Sequence, residues 1–407
     1  MGSAVPLSVP SDWIEGFDLL KHYVGLQLKD RKKKKVLFFD EFPWIHTHRS
    51  GFLQAFDHFW NSWATKQDNL IIVICGSAAS WMIRNIIKNK GGLHNRITHR
   101  IALMPFTLHE TEAYLKSRKI TLNRYHILQL YMALGGVPHY LKAVKTGETS
   151  TQVIDRLCFK QNGLLRDEFE NLYSALFDQA DKHLAVVRAL ASKPSGLTRG
   201  EIIEICQLSS GGTTTKLLDE LAESGFIRSY IPFQKKQRDA LYKLSDEYSC
   251  FYLKFIENSK AGFHDAWTKQ TASPTWRSWS GLAFENVCLK HTHEIKRALG
   301  ISGVHTEESS WRYVPGKGEQ GAQIDLLIDR QDFCISICEI KFSTDVFTID
   351  KRYAKELQYK LSTFRQAAKT RKNLFLTLIT TFGVKNNEHK LNLVQQEVTM
   401  DALFRTF

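Results

Sequence analysis

No apolar run in this 407-residue chain approaches the roughly 20 residues needed to cross a bilayer, which excludes a helical membrane span. The first ten residues have neither a basic segment nor a cleavable apolar core, so no secretory signal is read and a cytoplasmic location is expected. No C-x-x-C occurs, and the seven cysteines are scattered and odd in number. That pattern excludes a disulfide frame and a cysteine zinc site and leaves reduced, mostly buried thiols. Among the fifteen histidines, the pairs His46/His48 and His291/His293 lack ligand-spaced partners and read as solvated surface residues. Internal repeats and low-complexity tracts are also missing.

What is present is enough to build cores. Hydrophobic residues make up 43% and aromatics 12% of the chain, well above what disordered chains carry. The length asks for two to three domains. The formal charge of +13 favours contact with nucleic-acid phosphates, with an ordinary basic protein as the alternative.

A helix is expected over Trp13–Leu28, then a basic loop Arg31–Lys35 and a short all-apolar strand, Val36–Phe39. A helix around Phe52–Ala64 separates it from a second apolar strand, Leu70–Cys75. Strand, helix, strand with fully apolar strands predicts a parallel sheet buried on both faces. Helices follow at 108–119 and 123–134. The first is capped by Thr107 with Glu110 three residues on, and the second is broken by Gly135-Gly136-Val137-Pro138. A polar and aromatic linker, Lys260–Trp279, precedes the last segment.

Val36–Phe39 ends in two carboxylates, Asp40 and Glu41. This is the pattern of a Walker B strand, whose C-terminal edge lies at the nucleotide crevice of a P-loop NTPase. There Asp40 would hold Mg²⁺ through water, and Glu41 would polarise the attacking water as general base. A buried strand ending in an acidic turn is the plainer alternative. Ser77, one strand over, is placed to sense the γ-phosphate or the attacking water. Arg96, after Gly91-Gly92-Leu93-His94-Asn95 and before the strand-like stretch Ile97–Met104, is a candidate charge sensor or arginine finger.

Further on, His183–Leu190, a helix capped by Thr198 with Glu201, a turn at Ser209–Gly212 and the helix Thr213–Ser224 precede two strands, Phe226–Ile231 and Leu241–Leu244. The strands flank the basic tip Lys235-Lys236-Gln237-Arg238. Three helices and a basic hairpin predict a winged helix-turn-helix. It would contact DNA or serve as a protein-interaction or lid module; the acids Asp219, Glu220 and Glu223 on the third helix oppose deep groove insertion.

The last segment carries Asp325 at the start of one strand and Glu339-Ile340-Lys341 at the end of the next. Alternation puts Glu339 and Lys341 on one face and Ile340 on the other. Asp-x(n)-Glu-x-Lys on adjacent strands is the arrangement of PD-(D/E)xK nucleases, in which Asp325 and Glu339 would share Mg²⁺ and Lys341 would orient or activate water. Glu285, on the helix Leu282–Thr292, matches the acid often carried by the first helix of that fold. Lys351, Tyr353, Gln358 and Lys360 on the next helix could reach phosphate. Salt-bridged surface strands are the alternative.

Taken in order, Phe39–Trp44, Ser50-Gly51-Phe52, Cys75-Gly76-Ser77, Gly92–Arg96, Pro105–Leu108 and Gly135–Leu141 resemble the prokaryotic AAA+/STAND-type ATPase family with a C-terminal restriction-endonuclease-like domain. The resemblance implies an ATP- and Mg²⁺-using, DNA-associated protein, with room for an oligomer, and reads Gly136-Val137-Pro138 as the element closing the ATPase module. The chain departs from the family in lacking a G-x-x-x-x-G-K-[S/T] loop ahead of Asp40, which puts ATP binding in doubt; a truncated sequence is expected. The expected architecture is α/β: a partial P-loop core over 1–110, a helical lid over 111–178, a winged helix over 179–260 and a PD-(D/E)xK nuclease-like domain over 280–407. The function expected is that of an ATP-binding protein or ATPase with an incomplete nucleotide site. The alternatives are an Mg²⁺-dependent nuclease and a non-catalytic DNA-binding or assembly module.

Overall fold

The computed structural model describes residues 9–30, 32–47, 49–76, 79–82, 86, 96–259, 266–271, 273–316 and 320–406. Ser77 and the Gly91–Asn95 block fall outside them. The chain is mixed α/β and divides into two compact units, Met1–Ala102 and Leu103–Phe407.

In the first unit, helix α1 (Trp13–Gln27) begins at Asp12, whose carboxylate accepts from the Glu15 N–H at 2.9 Å. Strands β1 (Lys35–Phe39) and β2 (Leu70–Ile74) pair in parallel, from Lys35↔Leu70 to Phe39↔Ile74, and helix α2 (Phe52–Ser62) makes the crossover. Phe17 from α1, Phe42, and Phe52, Phe56 and Phe59 from α2 bury one face of the sheet; the Phe17 and Phe59 rings lie 5.0 Å apart. Leu37 and Phe39 join that core. The other face differs from the sequence expectation. Val36 is 63% and Phe38 56% exposed, and Ile71 is exposed beside them. Alternation sends these side chains away from the phenylalanine core, and no second layer among the described residues covers them. The stretch Ile97–Met104 also departs from expectation: it forms no strand, and Ile101, Leu103 and Met104 are exposed.

The second unit begins with helices α3 (Leu108–Ser117) and α4 (Arg124–Leu134). A reciprocal box between Thr107 and Glu110 caps α3, as its sequence requires. Gly136 is where the chain crosses closely: its carbonyl accepts from the Phe106 N–H at 2.8 Å, and a Cβ there would run into the Phe106 carbonyl.

Helices α5 (Ala180–Ser192), α6 (Arg199–Ile205) and α7 (Gly212–Glu223) pack around Leu184, Val187, Ile202, Leu217, Leu218 and Leu221. Strands β3 (Leu197–Thr198), β4 (Ile227–Tyr230) and β5 (Leu241–Leu244) form an antiparallel sheet in the order β3-β5-β4. The loop between β4 and β5 is anchored at its root. The Phe233 N–H donates to the Ser310 carbonyl, and Gln234 donates to the Ala368 carbonyl. Beyond that root, Lys235, Lys236 and Arg238 stand in solvent.

The C-terminal sheet runs β10-β9-β8-β7-β6, with β6 (Thr306–Tyr313), β7 (Ala322–Arg330), β8 (Cys334–Lys341), β9 (Asn373–Thr380) and β10 (Gln396–Thr399). Strands β6, β7 and β8 are antiparallel neighbours, and β8, β9 and β10 are parallel. Helix α8 (Pro274–Lys290) packs on one face, bringing Phe284, Val287 and Cys288 to Cys338 and Ile340. Helix α9 (Lys351–Ala368) packs on the other, setting Ala354, Leu357 and Phe364 against Ile335, Ile337 and Leu378. Both faces of β8 are therefore buried.

All seven cysteines are free. His291 is not a surface residue: only 2% exposed, it follows the end of α8. Its Nε2 accepts from the Leu108 N–H, which leaves the proton on Nδ1 to donate to the Val287 carbonyl. Burial lowers its pKa from the ordinary value, in keeping with a neutral ring.

Candidate active site

Two pairs of carboxylates, one in each unit, are built differently: Asp40 and Glu41 follow the end of a strand, and Asp325 and Glu339 lie within two neighbouring strands.

In the first unit the C-terminal ends of β1 and β2 are tied by two backbone bonds: Cys75 N–H donates to the Phe39 carbonyl and Phe42 N–H to the Cys75 carbonyl. Asp40 Oδ1 accepts from the Glu41 N–H at 3.0 Å and from Cys75 Sγ at 2.8 Å. The Asp40 contact is the main cause of a raised Cys75 pKa, with desolvation second. Gly76 presses on Pro43, where a Cβ would collide with the ring. Glu41 takes a left-handed backbone, φ 47°. Both acids are exposed, and Arg96 is exposed in an irregular segment.

In the second unit the antiparallel register runs as far as Leu326 with Cys338, one position short of Asp325 and Glu339. Asp325 Oδ2 accepts from the Ile340 N–H at 3.1 Å, which fixes that carboxylate beside β8 and leaves its second oxygen open to a ligand. Strand alternation turns Glu339 and Lys341 toward α9, along with Ile335 and Ile337, while Ile340 faces α8.

Glu339 is fully buried. Its Oε2 accepts from Lys360 Nζ at 2.8 Å and from the Tyr353 hydroxyl at 3.2 Å, with Lys341 Nζ at 3.8 Å. Its Oε1 is buried with no partner. A carboxylate oxygen shut away from water without a donor is costly, and native chains leave few of them. Burial raises the Glu339 pKa, Asp325 adds to the rise, and Lys360 and Lys341 oppose it. Burial works against the charge of Lys360, but Glu339 outweighs it and the pKa is raised.

Lys341 sits at the mouth of the cluster, about a third exposed, with its ammonium 5.2 Å from the centre of the Tyr353 ring. Glu285, on α8, pairs with Lys243 on β5 at 3.2 Å, both largely buried. Burial raises the Glu285 pKa; Lys243 opposes the rise and Asp325 adds to it, so the acid feels the cluster from behind. Beside Lys360 a recess of about 320 Å³ opens, lined by Arg312, Tyr313, Gln323, Glu356 and Tyr359.

Asp325, Glu339 and Lys341 are thus gathered at one point, with Glu285 within electrostatic reach. Lys360 and Tyr353, read from sequence as phosphate contacts, instead hold Glu339. Lys243 had no signal: it lies in a different sheet, and only the packing of β5 near α8 brings it to Glu285. Among the described residues no three His, Cys, Asp or Glu side chains form a metal cage. The fit to a hard divalent cation rests instead on two neighbouring carboxylates, one with an orphaned buried oxygen that a cation could answer.

No family model matches the chain, and no curated protein matches it. Among solved structures, a Walker-type ATPase of Pyrococcus abyssi is similar to it, with 18% identity over 61% of this chain and 68% of that one and a TM-score of 0.41.

Proposed function

We propose that the Asp325–Glu339–Lys341 cluster is the catalytic centre and that it hydrolyses phosphodiesters in DNA with the help of Mg²⁺. The observation that carries this reading is the orphaned, buried Oε1 of Glu339, on a carboxylate within electrostatic reach of Asp325. Asp325 and Glu339 would hold the ion. When bound, it would polarise the scissile phosphate and lower the pKa of a water. Tyr353 and Lys360 fix the Glu339 carboxylate by donating to one of its oxygens. Lys341, about a third exposed, is placed to meet a phosphate oxygen or orient the attacking water. Glu285 keeps Lys243 close behind the cluster.

DNA is the proposed partner because the chain carries +13 and presents Lys235, Lys236 and Arg238 on an exposed tip. Helices α5, α6 and α7 with the β4–β5 hairpin are read as a winged helix, and the five-stranded sheet as a restriction-endonuclease-like domain. The wing tip would contact phosphate. Helix α7 is less suited to a groove, since its Lys216 is paired with Glu220 at 3.7 Å.

A second reading, ATP binding and hydrolysis at Asp40 and Glu41, is favoured by one observation: the pair closes the C-terminal end of a parallel strand and is tied to the next strand through Cys75. In that reading the cytoplasmic, DNA-associated protein couples nucleotide binding to the nuclease-like centre.

The test is cleavage of supercoiled plasmid with Mg²⁺ and with EDTA, for the wild type and Lys341→Ala. Mg²⁺-dependent nicking that falls at least about a hundredfold in the variant is expected. Equal nicking by both proteins would sink the proposal.

A further inference from the structure

More than half of the chain's basic excess lies in one stretch. From Lys116 to Arg166 there are nine Lys or Arg and two acids, which is +7 of the formal +13. Glu112 and Asp401, from outside that stretch, pair with Lys116 and Arg124. Of the two acids inside it, Asp155 is buried and accepts from the Trp267 N–H at 3.0 Å, and Glu148 is bound by Arg156. Neither is left to neutralise the other cations. Residues 118–120, 142–146, 156–157 and 162–164 of the stretch contribute to the lining of one cleft of about 640 Å³. Resting on the reading of DNA as the partner, but not on the nuclease centre, we infer that this cleft holds the phosphate backbone of duplex DNA.

Four cations line it: Arg118, Lys142, Lys145 and Arg156. Two are held in place. Arg118 follows the end of α3, and its Nη1 donates to the Leu141 and Lys142 carbonyls at 3.2 and 2.6 Å, at the end of the one-turn helix Pro138–Leu141. Those acceptors are neutral, so the Arg118 charge is not cancelled. Arg156 donates from Nε and Nη2 to Glu148 at 2.7 and 2.6 Å and from Nη2 to the Ala143 carbonyl at 2.9 Å. Lys142 and Lys145 are exposed, and among the described residues no carboxylate lies within ion-pair distance of either. Ile120, Val144 and Leu157 also line the cleft and belong to the hydrophobic core, so the concavity is part of the folded scaffold. Among the described lining residues there is no carboxylate and no aromatic ring. Three uncancelled cations suit a ligand of several negative charges, and a fixed guanidinium suits phosphate oxygens. Without a ring to stack on, unpaired bases gain little here, which favours a duplex over a single strand and binding without regard to sequence.

The test is fluorescence anisotropy of a short labelled duplex of mixed sequence with the whole protein, in EDTA, so that cleavage plays no part. Salt is varied between about 50 and 200 mM. Lys142→Ala/Lys145→Ala is expected to weaken binding at least about tenfold and to flatten the slope of log affinity against log salt by about 2. Lys32→Ala/Lys34→Ala, which removes the same charge from the loop before β1, should change affinity by less than about twofold. Thermal melts check that both variants fold. Equal losses in the two variants would show an effect of net charge alone and overturn the inference. Unchanged binding by Lys142→Ala/Lys145→Ala would overturn it and leave DNA as the partner. Tripolyphosphate bound by the wild type and lost in that variant, with no binding of duplex, would assign the cleft to a small phosphate ligand and overturn the backbone assignment. No binding of either by the wild type would overturn both the inference and the reading of DNA as the partner.

Discussion

The two acidic pairs look alike in sequence, each a strand that ends or begins in carboxylates, yet they differ in what surrounds them. Asp40 and Glu41 are exposed at the end of a sheet that has two strands among the described residues and one apolar face that none of those residues covers. Asp325 and Glu339 belong to a five-stranded sheet with a helix on each face, and Glu339 is fully buried with two donors on one oxygen and none on the other. A carboxylate in water can turn to any partner. A buried one is committed by its surroundings to a small set of charges, and that commitment is what a catalytic geometry needs.

The comparison breaks first at the acids themselves. Asp325→Ala is expected to lower Mg²⁺-dependent nicking by at least about a thousandfold, roughly 4 kcal/mol of transition-state stabilisation. Asp40→Ala in the same assay should leave nicking of naked plasmid within about twofold.

It sharpens next on packing. Phe59, fully buried among the rings of the first unit, should cost about 3–5 kcal/mol on replacement by Ala, read as a fall in that unit's chemical-denaturation midpoint. Phe38→Lys, on the exposed face of the same sheet, should change that unit's stability by less than about 0.5 kcal/mol. A large loss at Phe38 would mean that the face is covered in solution.

A smaller effect separates the pairs by pH. Burial raises the Glu339 pKa above the ordinary 4.5. Between that value and the raised one the native state keeps a proton that the unfolded chain has lost. The contribution of Glu339 to stability is therefore complete below about 4.5 and declines as pH climbs through the raised pKa. In metal-free protein, Glu339→Gln should remove that part of the slope, while abolishing nicking. The measurement is a series of thermal melts across pH, with EDTA present.

How much of this was legible in the sequence depended on how local the signal was. Thr107 with Glu110, Thr198 with Glu201 and the alternation at Glu339-Ile340-Lys341 rest on contacts within a few residues, and each has the geometry its spacing implies. The apolar runs Val36–Phe39 and Leu70–Cys75 marked strands correctly but could not say what lay on each face, since burial depends on layers supplied elsewhere. Ile97–Met104 read as strand-like, with Ile97, Thr98 and Ile101 β-branched, yet a strand needs an edge to pair with, and none of the described strands pairs with it. His291 looked solvated because its role, accepting from the Leu108 N–H, spans 183 residues. The partnership of Lys360 with Glu339 was hidden for the same reason: helix α9 has to fold back over β8 before the two meet.

The most direct measurement is plasmid nicking in Mg²⁺ by three proteins side by side: wild type, Asp325→Ala and Asp40→Ala. The account expects nicking by the wild type and by Asp40→Ala at similar rates, and none above background by Asp325→Ala. Nicking that survives in Asp325→Ala would contradict it.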